Sequence, residues 1–325
     1  MTGERCTVSS DSASTRELQT IAKQLGFTAC GVASLEPSRY ADALDRWLAA
    51  GYAGGMRYLH RQAGKRKAPA EIVPGANAAV VVLENYLPKD QGSGVREPGR
   101  AVKIAKYARG TDYHIAFRRR LGLLAEWLRA QGADLAETWV DAGPVPEREL
   151  AQRAGLGWIG KNTMLIRPEA GSYFFIGTIF TDLALEPARG ADYDRCGSCT
   201  RCLDACPTTA FVEPRVLDAT RCISYLTIES RLPTPEPLAG MLTGWGFGCD
   251  ICNDVCPWNL RFAAPASAPE YQDREAIASE DPAFFERMDE AEFARRFADT
   301  PLERPGLAGM RRNWAAAFHS LEELP

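Results

Sequence analysis

This chain has no long apolar run, few histidines and no net basic charge. No stretch of its 325 residues approaches the roughly 18 consecutive apolar residues of a membrane-spanning helix. The N-terminal sequence MTGERCTVSSDSAS lacks both the apolar core of a secretion signal and a twin arginine. Its three histidines leave little scope for a multi-histidine metal site. We therefore expect a cytoplasmic protein with no membrane contact.

The charge balance gives no overall sign of nucleic-acid binding, because the net charge is −4. Basic residues nevertheless cluster within 61–67, 100–109 and 118–120, whereas acidic residues gather between 270 and 292. A local positive face is one interpretation of these clusters, and solvated helix faces are the simpler one.

Cysteine, in contrast, is abundant, and eight of the ten cysteines fall into two linked runs. The first run has the spacing C-x2-C-x2-C-x3-C-P, the pattern of bacterial ferredoxins. The second run differs only in that its first cysteine is displaced upstream by an insertion. The first run comprises Cys196, Cys199, Cys202, Cys206 and Pro207, and the second comprises Cys222, Cys249, Cys252, Cys256 and Pro257. The pattern predicts two [4Fe–4S] clusters and one-electron transfer.

The same motif predicts which cysteines share a cluster. Three closely spaced thiolates bind one cubane, and the last cysteine of the run ligates the other cluster. Cluster one therefore takes Cys196, Cys199, Cys202 and Cys256, and cluster two takes Cys206, Cys222, Cys249 and Cys252. Paired CxxC units also make four-thiolate zinc sites, but zinc requires neither the third cysteine nor the C-x3-C-P ending. Disulfides fit poorly in a long chain without a secretion signal.

The chain divides into four predicted parts. Residues 1–13 form a tail that we expect to be disordered, and helices alternating with buried strands over 14–185 indicate an α/β (α+β) domain. The cysteine runs define a ferredoxin-like module over 186–262, and residues 263–325 combine the linker APASAP with short helices.

Within the first domain, apolar periodicity predicts the individual elements. Helices are predicted at 14–25, 40–51, 113–131 and 146–154, strands at 27–33, 78–83, 137–140 and 173–180, and a loop at 88–99. Ser14 and Glu17 form a capping-box pattern at the start of the first helix.

Three motifs in this domain are incomplete. Residues 155–160 match the G-x-G-x-x-G dinucleotide fingerprint, but they follow a predicted helix instead of a strand. With Lys161 they nearly form a P-loop, but Asn162 stands where a Ser or Thr would hold magnesium. Residues 112–114 begin the D-x-H-x-x-G signature of histidine-ligated cobalamin, but Phe117 replaces its glycine. We therefore expect neither a nicotinamide site, nor an NTPase site, nor cobalt ligation by His114.

Two polar segments are candidates for chemistry. Asp141 follows a predicted strand beside a Gly-Pro turn, where an acidic group can face a cleft and donate a proton. The simpler alternatives are that Asp141 caps the next helix or pairs with Arg148. The loop from Gly160 to Thr163 could hold an anionic group through Lys161, or it could be an ordinary surface turn.

Together these segments resemble the epoxyqueuosine reductase family over residues 14–262. The matching segments are GTDYH (110–114), VDAGPVPER (140–148), AQRAGLGWIGKNTMLI (151–166), GSY (171–173), CGSCTRCLDACPT (196–208), RCISYLTIE (221–229) and GCDICNDVCPWN (248–259). The resemblance implies a cobalamin in the α/β domain that receives electrons from the two clusters. It also implies reduction of the epoxide of epoxyqueuosine in tRNA to the alkene of queuosine.

The resemblance also implies roles for individual residues. Asp141 matches the proton donor. Arg66, Lys161 and Ser224 match positions that bind the cofactor, and His114 and Arg148 match positions that bind the substrate. The partners that it implies are a tRNA whose anticodon-loop base enters the pocket while basic residues hold phosphates, and an external electron donor. We expect a monomer.

One departure concerns the C-terminus, because longer family members carry a helical-repeat domain there. About 60 residues follow the cysteine-rich module here, and Arg311, Arg312 and Trp314 are the candidate remnant. Two other hypotheses remain open from the sequence. One is a reductive dehalogenase-like cobalamin enzyme for a small organic substrate, and the other is a non-catalytic electron-transfer protein.

Overall fold

The computed structural model describes residues 13–89, 101–191, 193–274 and 281–322. Its helices are α1 (Ala13–Gln24), α2 (Ala41–Ala49), α3 (Arg57–Arg61), α4 (Ala63–Lys67), α5 (Tyr113–Ala130), α6 (Glu147–Arg153), α7 (Arg201–Asp204), α8 (Ile251–Asp254), α9 (Pro257–Phe262), α10 (Glu290–Phe297) and α11 (Gly306–Glu322). Its strands are β1 (Ala29–Ala33), β2 (Ala78–Asn85), β3 (Lys103–Ile104), β4 (Ala136–Val140), β5 (Trp158–Ile159), β6 (Leu165–Ile166), β7 (Phe174–Thr181), β8 (Phe211–Glu213), β9 (Val216–Leu217) and β10 (Trp245–Phe247).

A four-stranded sheet with the order β1-β2-β7-β4 forms the centre of the first domain. All its neighbouring strands are antiparallel, and β2 pairs with β7 along its whole length, from Ala78 opposite Thr181 to Asn85 opposite Phe174. Seven of the eight β2 residues are buried, which accounts for the continuous apolar run AAVVVL. The predicted helices and strands are present with ends shifted by at most two residues, and the α/β (α+β) class is confirmed.

Helices cover both faces of this sheet, because successive residues of a strand point to opposite faces. Val82 lies in one core with Phe117 and Leu121 of α5. Val81 lies in a second core with Leu150 of α6. The i, i+4 spacing in α5 thus buries the apolar face that the sequence predicts.

The predicted capping box is wrong, because α1 already includes Ala13 and Ser14. Ser14 therefore lies inside the helix, where serine is tolerated at a modest cost, and does not flank it. Residues 1–12, which make up nearly all of the predicted tail, lie outside the described residues. So do residues 90–99 of the predicted loop.

The cysteine-rich part is joined to the first domain by a parallel strand pair, β3 with β10. Ile104 and Phe247 pair there, and both belong to a third core with Phe285, Met310 and Trp314. The C-terminal helices therefore pack on the body of the protein, as the sequence predicts.

The segment predicted as a linker also packs on the first domain. The N–H of Ala266 donates to the Leu87 carbonyl (2.7 Å), and Tyr271 is buried in the core with α5. In the described part of the chain, no helix combines the length and the apolar character that crossing a bilayer requires.

Candidate active site and iron–sulfur centre

The Asp141 carboxyl is held at the end of β4 by contacts on two sides. Asp141 has a φ of 42°, in the left-handed region that aspartate tolerates better than most residues. Its N–H donates to Glu147 Oε1 (2.7 Å), and its carboxylate accepts a hydrogen bond from the Tyr113 hydroxyl. The side chain itself is exposed, so the carboxyl is fixed in place and remains accessible.

Neither of the simpler expectations for Asp141 is observed. The residue that precedes α6 is Pro146, which makes no side-chain cap. The Arg148 guanidinium donates to the Thr163 carbonyl (3.2 Å) and makes no ion pair with Asp141. Asp141 is therefore available for another role.

Glu147 is a neighbour of Asp141 that the sequence analysis missed. Burial, and after it the charge of Asp141, raise the pKa of Glu147 to about 8, while the hydrogen bond from the Asp141 N–H and the charges of Arg148 and Arg66 act in the opposite direction. The only signal in the sequence is an acidic residue in the first turn of a helix that follows a strand end.

Arg66 holds the loop that follows Asp141. Its Nη2 donates to the Gly143 carbonyl (2.8 Å), and its Nη1 donates to the Val145 carbonyl (3.4 Å). Its Nε is buried without a hydrogen-bond partner, and so is Oε1 of Gln62, one helical turn away. These two atoms, one donor and one acceptor, lack partners among the described residues.

His114 and Arg304 lie on other sides of the same site. The Asp112 carboxylate accepts a hydrogen bond from His114 Nδ1 (2.8 Å), and this bond raises the pKa of the imidazole. Burial lowers that pKa, and the charge of Asp141 raises it. Burial lowers the pKa of Arg304, but Glu229, and to a smaller extent Asp141, raise it overall. Arg304 comes from the C-terminal segment, which the sequence analysis did not connect with the site.

The eight motif cysteines fall into two groups of four thiols. Burial raises the pKa of Cys202 to about 11, and Cys196, Cys256 and Cys199 contribute to the shift. Burial also raises the pKa of Cys249, and the neighbouring Cys222 and Cys206 raise it too. The pKa of Cys252 is raised in the same way by burial and by Cys249 and Cys222. We call these groups quartet one (Cys196, Cys199, Cys202, Cys256) and quartet two (Cys206, Cys222, Cys249, Cys252).

The thiol spacing suits a cluster better than a single ion. Within the described ranges, no three His, Cys, Asp or Glu side chains are spaced to hold one metal ion. Tetrahedral zinc draws four ligands to one centre, whereas a cubane distributes its four thiolates over four irons. The all-thiol donor set fits a [4Fe–4S] cluster in each quartet.

Quartet two lies on the side of Asp141. The Lys106 N–H donates to Asp250 (2.7 Å), between Cys249 and Cys252, and Lys106 Nζ contacts Asp254 (2.5 Å). The adjacent Tyr107 is half-buried, and its pKa is raised by desolvation of the ring and then by both Asp141 and Asp250. The ring of Tyr107 also contacts Tyr113, whose hydroxyl holds Asp141 (ring centroids 6.0 Å apart).

Lys161 and Ser224 lie beside the cysteines. Lys161 Nζ donates to the carbonyls of Gly197 (2.6 Å) and Cys199 (3.0 Å), so it holds the first cysteine run. The Ser224 N–H bonds to the Cys222 thiol. The structure thus gathers Arg66, His114, Arg148 and Asp141 at one site, places Ser224 at quartet two, and places Lys161 at quartet one.

The incomplete fingerprint at 155–160 forms no nucleotide site. Its residues follow α6 and lead through β5 into a hairpin with β6, in which Trp158 pairs with Ile166. No helix begins there to receive a phosphate.

Two family models match the chain. Residues 66–142, which include Arg66 and Asp141, match "Epoxyqueuosine reductase QueG, DUF1730", and residues 195–259 match "4Fe-4S double cluster binding domain".

Similar proteins and structures agree with these matches. The chain is 42% identical over 299 residues to an epoxyqueuosine reductase of Pseudomonas aeruginosa, covering 91% of this chain and 82% of that protein. It aligns with a TM-score of 0.87 and 30% identity to an epoxyqueuosine reductase solved with an epoxyqueuosine-modified tRNA stem loop, covering 95% of this chain and 82% of that one. It aligns with a TM-score of 0.85 and 29% identity, at the same coverage, to the Bacillus subtilis enzyme with its catalytic aspartate loop swung out of the active site. The chain belongs to the epoxyqueuosine reductase family.

Proposed function

We propose that this protein reduces the epoxide of epoxyqueuosine in tRNA to the alkene of queuosine. The reaction consumes two electrons and two protons and releases the epoxide oxygen as water. One observation carries the proposal: the ring of Tyr107 contacts Tyr113, whose hydroxyl holds Asp141, and the N–H of the adjacent Lys106 donates to Asp250 within quartet two. This chain of contacts joins a proton donor to the surroundings of quartet two.

Each thiol quartet would hold one [4Fe–4S] cluster. Quartet one would ligate cluster one through Cys196, Cys199, Cys202 and Cys256, and quartet two would ligate cluster two through Cys206, Cys222, Cys249 and Cys252. Because Cys206 belongs to the first run and Cys256 to the second, each run supplies one ligand to the other's cluster.

Cobalamin fits beside Asp141 because this site contains buried polar atoms without partners. The amide side chains of a corrin both donate and accept hydrogen bonds, as Arg66 Nε and Gln62 Oε1 require. Arg66 and Gln62 would hold the cofactor on one side and Ser224 on the side of quartet two. When bound, cobalamin supplies a strongly reduced cobalt for cleaving a carbon–oxygen bond. Lys161 would act at a distance from the cofactor by fixing the first cysteine run.

Asp141 would donate the proton that the epoxide oxygen needs. The hydrogen bonds from Tyr113 and to Glu147 hold the carboxyl and its backbone, so the acid is positioned before substrate binds. His114 and the exposed Arg148 would bind the substrate. The raised pKa of His114 favours its cationic form, which suits contact with an RNA phosphate.

The remaining assignments follow from this chemistry. The substrate is the modified base of a tRNA anticodon loop, which must leave its stack to enter the site. A separate electron donor must reduce the clusters. We place the protein in the cytoplasm and expect it to act as a monomer.

The proposal is tested with anaerobically purified protein that carries both clusters and added cobalamin. Incubation with dithionite and epoxyqueuosine-containing tRNA should yield a nucleoside that is one oxygen lighter in mass spectrometry. Omitting cobalamin should abolish the product. Absence of the product from protein with full iron, sulfide and cobalamin content would reject this function, and zinc in place of iron would reject the clusters.

A further inference from the structure

An open groove lies beside quartet one. It has a volume of about 540 Å³ and is lined by Arg201, Asp204 and Ala205 of the first cysteine run and by Asp254, Val255 and Leu260 of the second. Every lining residue is therefore close in the chain to a cysteine of the two quartets. The Leu260 side chain, which also lines the groove, is 68% exposed.

Three exposed arginines belong to the segments that form this groove: Arg201 lines it, Arg261 follows Leu260, and Arg195 precedes Cys196. None of the three makes an ion pair with any residue that the structure describes. The acidic residues of the groove are engaged, since Asp254 contacts Lys106 and Asp204 accepts from Thr200. The face therefore presents positive charge.

Two of these arginines stack on a row of aromatic rings that packs against cysteines of quartet one. Arg195 lies over Tyr193 (4.9 Å) and Arg261 over Phe262 (5.1 Å). Tyr193 and Phe262 are joined through Trp158 and Trp258, which pack with Cys196 and Cys256. The guanidinium groups of Arg195 and Arg261 therefore lie at the two ends of a row of rings that packs against cysteines of quartet one.

We propose that this face, made of the groove, Leu260 and the three arginines, docks a small acidic protein that delivers one electron at a time. This rests on the proposed function, because two electrons must enter for each epoxide reduced. Each docking event would oxidise the carrier's centre by one electron and reduce cluster one by one electron, with no proton or group transferred. Two docking events would supply the two electrons that one epoxide reduction consumes.

The position of the face supports an electron carrier. The groove lies against both cysteine runs, because its lining residues flank Cys202, Cys206 and Cys256. Arginine rims guide acidic partners by electrostatic attraction, and an exposed leucine provides apolar contact. Of the aromatic rings in the row, Trp158 is only 1% exposed whereas Tyr193 is 38% exposed, so binding of RNA bases is an outcome that the test must distinguish.

The test compares two reductants on the cluster-loaded protein. Reduced plant-type [2Fe–2S] ferredoxin is the acidic protein probe, and dithionite is the small-molecule control. Cluster bleaching is followed by stopped-flow absorbance for wild type, the double variant Arg201→Glu/Arg261→Glu, and Leu260→Glu. Leu123→Glu is the matched control, since Leu123 is an exposed leucine (46%) on α5.

We expect ferredoxin to reduce the double variant at least about tenfold more slowly than wild type, with a weaker dependence on salt. Leu260→Glu should also slow this reaction, although it leaves the first cysteine run untouched. Dithionite should reduce all four proteins at the same rate, and Leu123→Glu should match wild type with both reductants.

Unchanged ferredoxin rates in variants with full iron and sulfide content would overturn the docking site. A loss of tRNA affinity with normal ferredoxin rates would also overturn it and identify an RNA-binding face. Failure of dithionite-driven epoxide reduction in wild type would instead count against the proposed function, so the two failures are distinguishable.

Discussion

Replacing Asp141 by asparagine separates the role of its carboxyl as an acid from its role in holding the loop. Asparagine shares the tolerance of aspartate for the left-handed φ of 42° observed at this position. Its amide oxygen can accept from the Tyr113 hydroxyl, and its N–H can still donate to Glu147. Only the dissociable proton and the negative charge are removed.

The magnitudes differ enough to distinguish these roles. Exchanging a hydrogen bond to a charged acceptor for one to a neutral acceptor costs about 1 kcal/mol of folding stability. Loss of a general acid lowers a rate by about 10²- to 10⁴-fold, which corresponds to about 2.7–5.4 kcal/mol. We therefore expect Asp141→Asn to fold and to carry both clusters and cobalamin while turnover falls at least about a hundredfold.

The assay is a single dithionite-driven turnover, with product quantified by nucleoside mass spectrometry. Iron content, the cobalamin absorbance and the thermal midpoint should match wild type. Asp134→Asn is the control, because Asp134 is an exposed aspartate before β4. Activity of Asp141→Asn within threefold of wild type, with bound cofactors, would show that the proton comes from another group.

Three further substitutions test neighbouring contacts. Glu147→Ala should lower kcat about fivefold with KM unchanged, because the Asp141 N–H loses an acceptor worth about 1 kcal/mol, whereas Glu147→Gln should retain activity. Burial raises the pKa of Glu84 from 4.5 to about 7, so its contribution to stability is present below pH 4.5 and lost as the pH rises through 7. Between pH 5.5 and 8, the free energy of unfolding of wild type should therefore fall by about 2 kcal/mol more than that of Glu84→Gln, which corresponds to about 3 °C in Tm. An equal fall in both proteins would contradict this expectation. Lys106→Gln should lower the reduction potential of cluster two and leave cluster one unchanged in an EPR-monitored titration; equal shifts in both would contradict the assignment.

The elements of the first domain could be predicted because their signals are local. The valine run of β2 and the four-residue spacing of Phe117 and Leu121 in α5 each report burial directly from the sequence. The cysteine spacing is equally local, and it predicts two four-thiolate sites from the two runs alone. Asp141 could be proposed from its place at a strand end.

The supporting contacts could not be predicted, because they join residues far apart in the chain. Lys106 and Asp250 are 144 positions apart, and the short pairing of β3 with β10 that brings them together has no periodic signal. Glu147 lies near Asp141 in sequence, but its raised pKa depends on burial, which the sequence does not reveal. Lys161 shows the same limit: nothing in its glycine-rich loop indicates that its ammonium bonds carbonyls of the first cysteine run.

The third core has a consequence for biogenesis. β10 ends at Phe247, two residues before Cys249, and Phe247 is packed by Met310 and Trp314 of α11, near the end of the chain. During synthesis this packing cannot form until α11 has left the ribosome. The surroundings of quartet two are therefore complete only after α11 has been synthesised, so cluster insertion should follow the packing of this helix on β10.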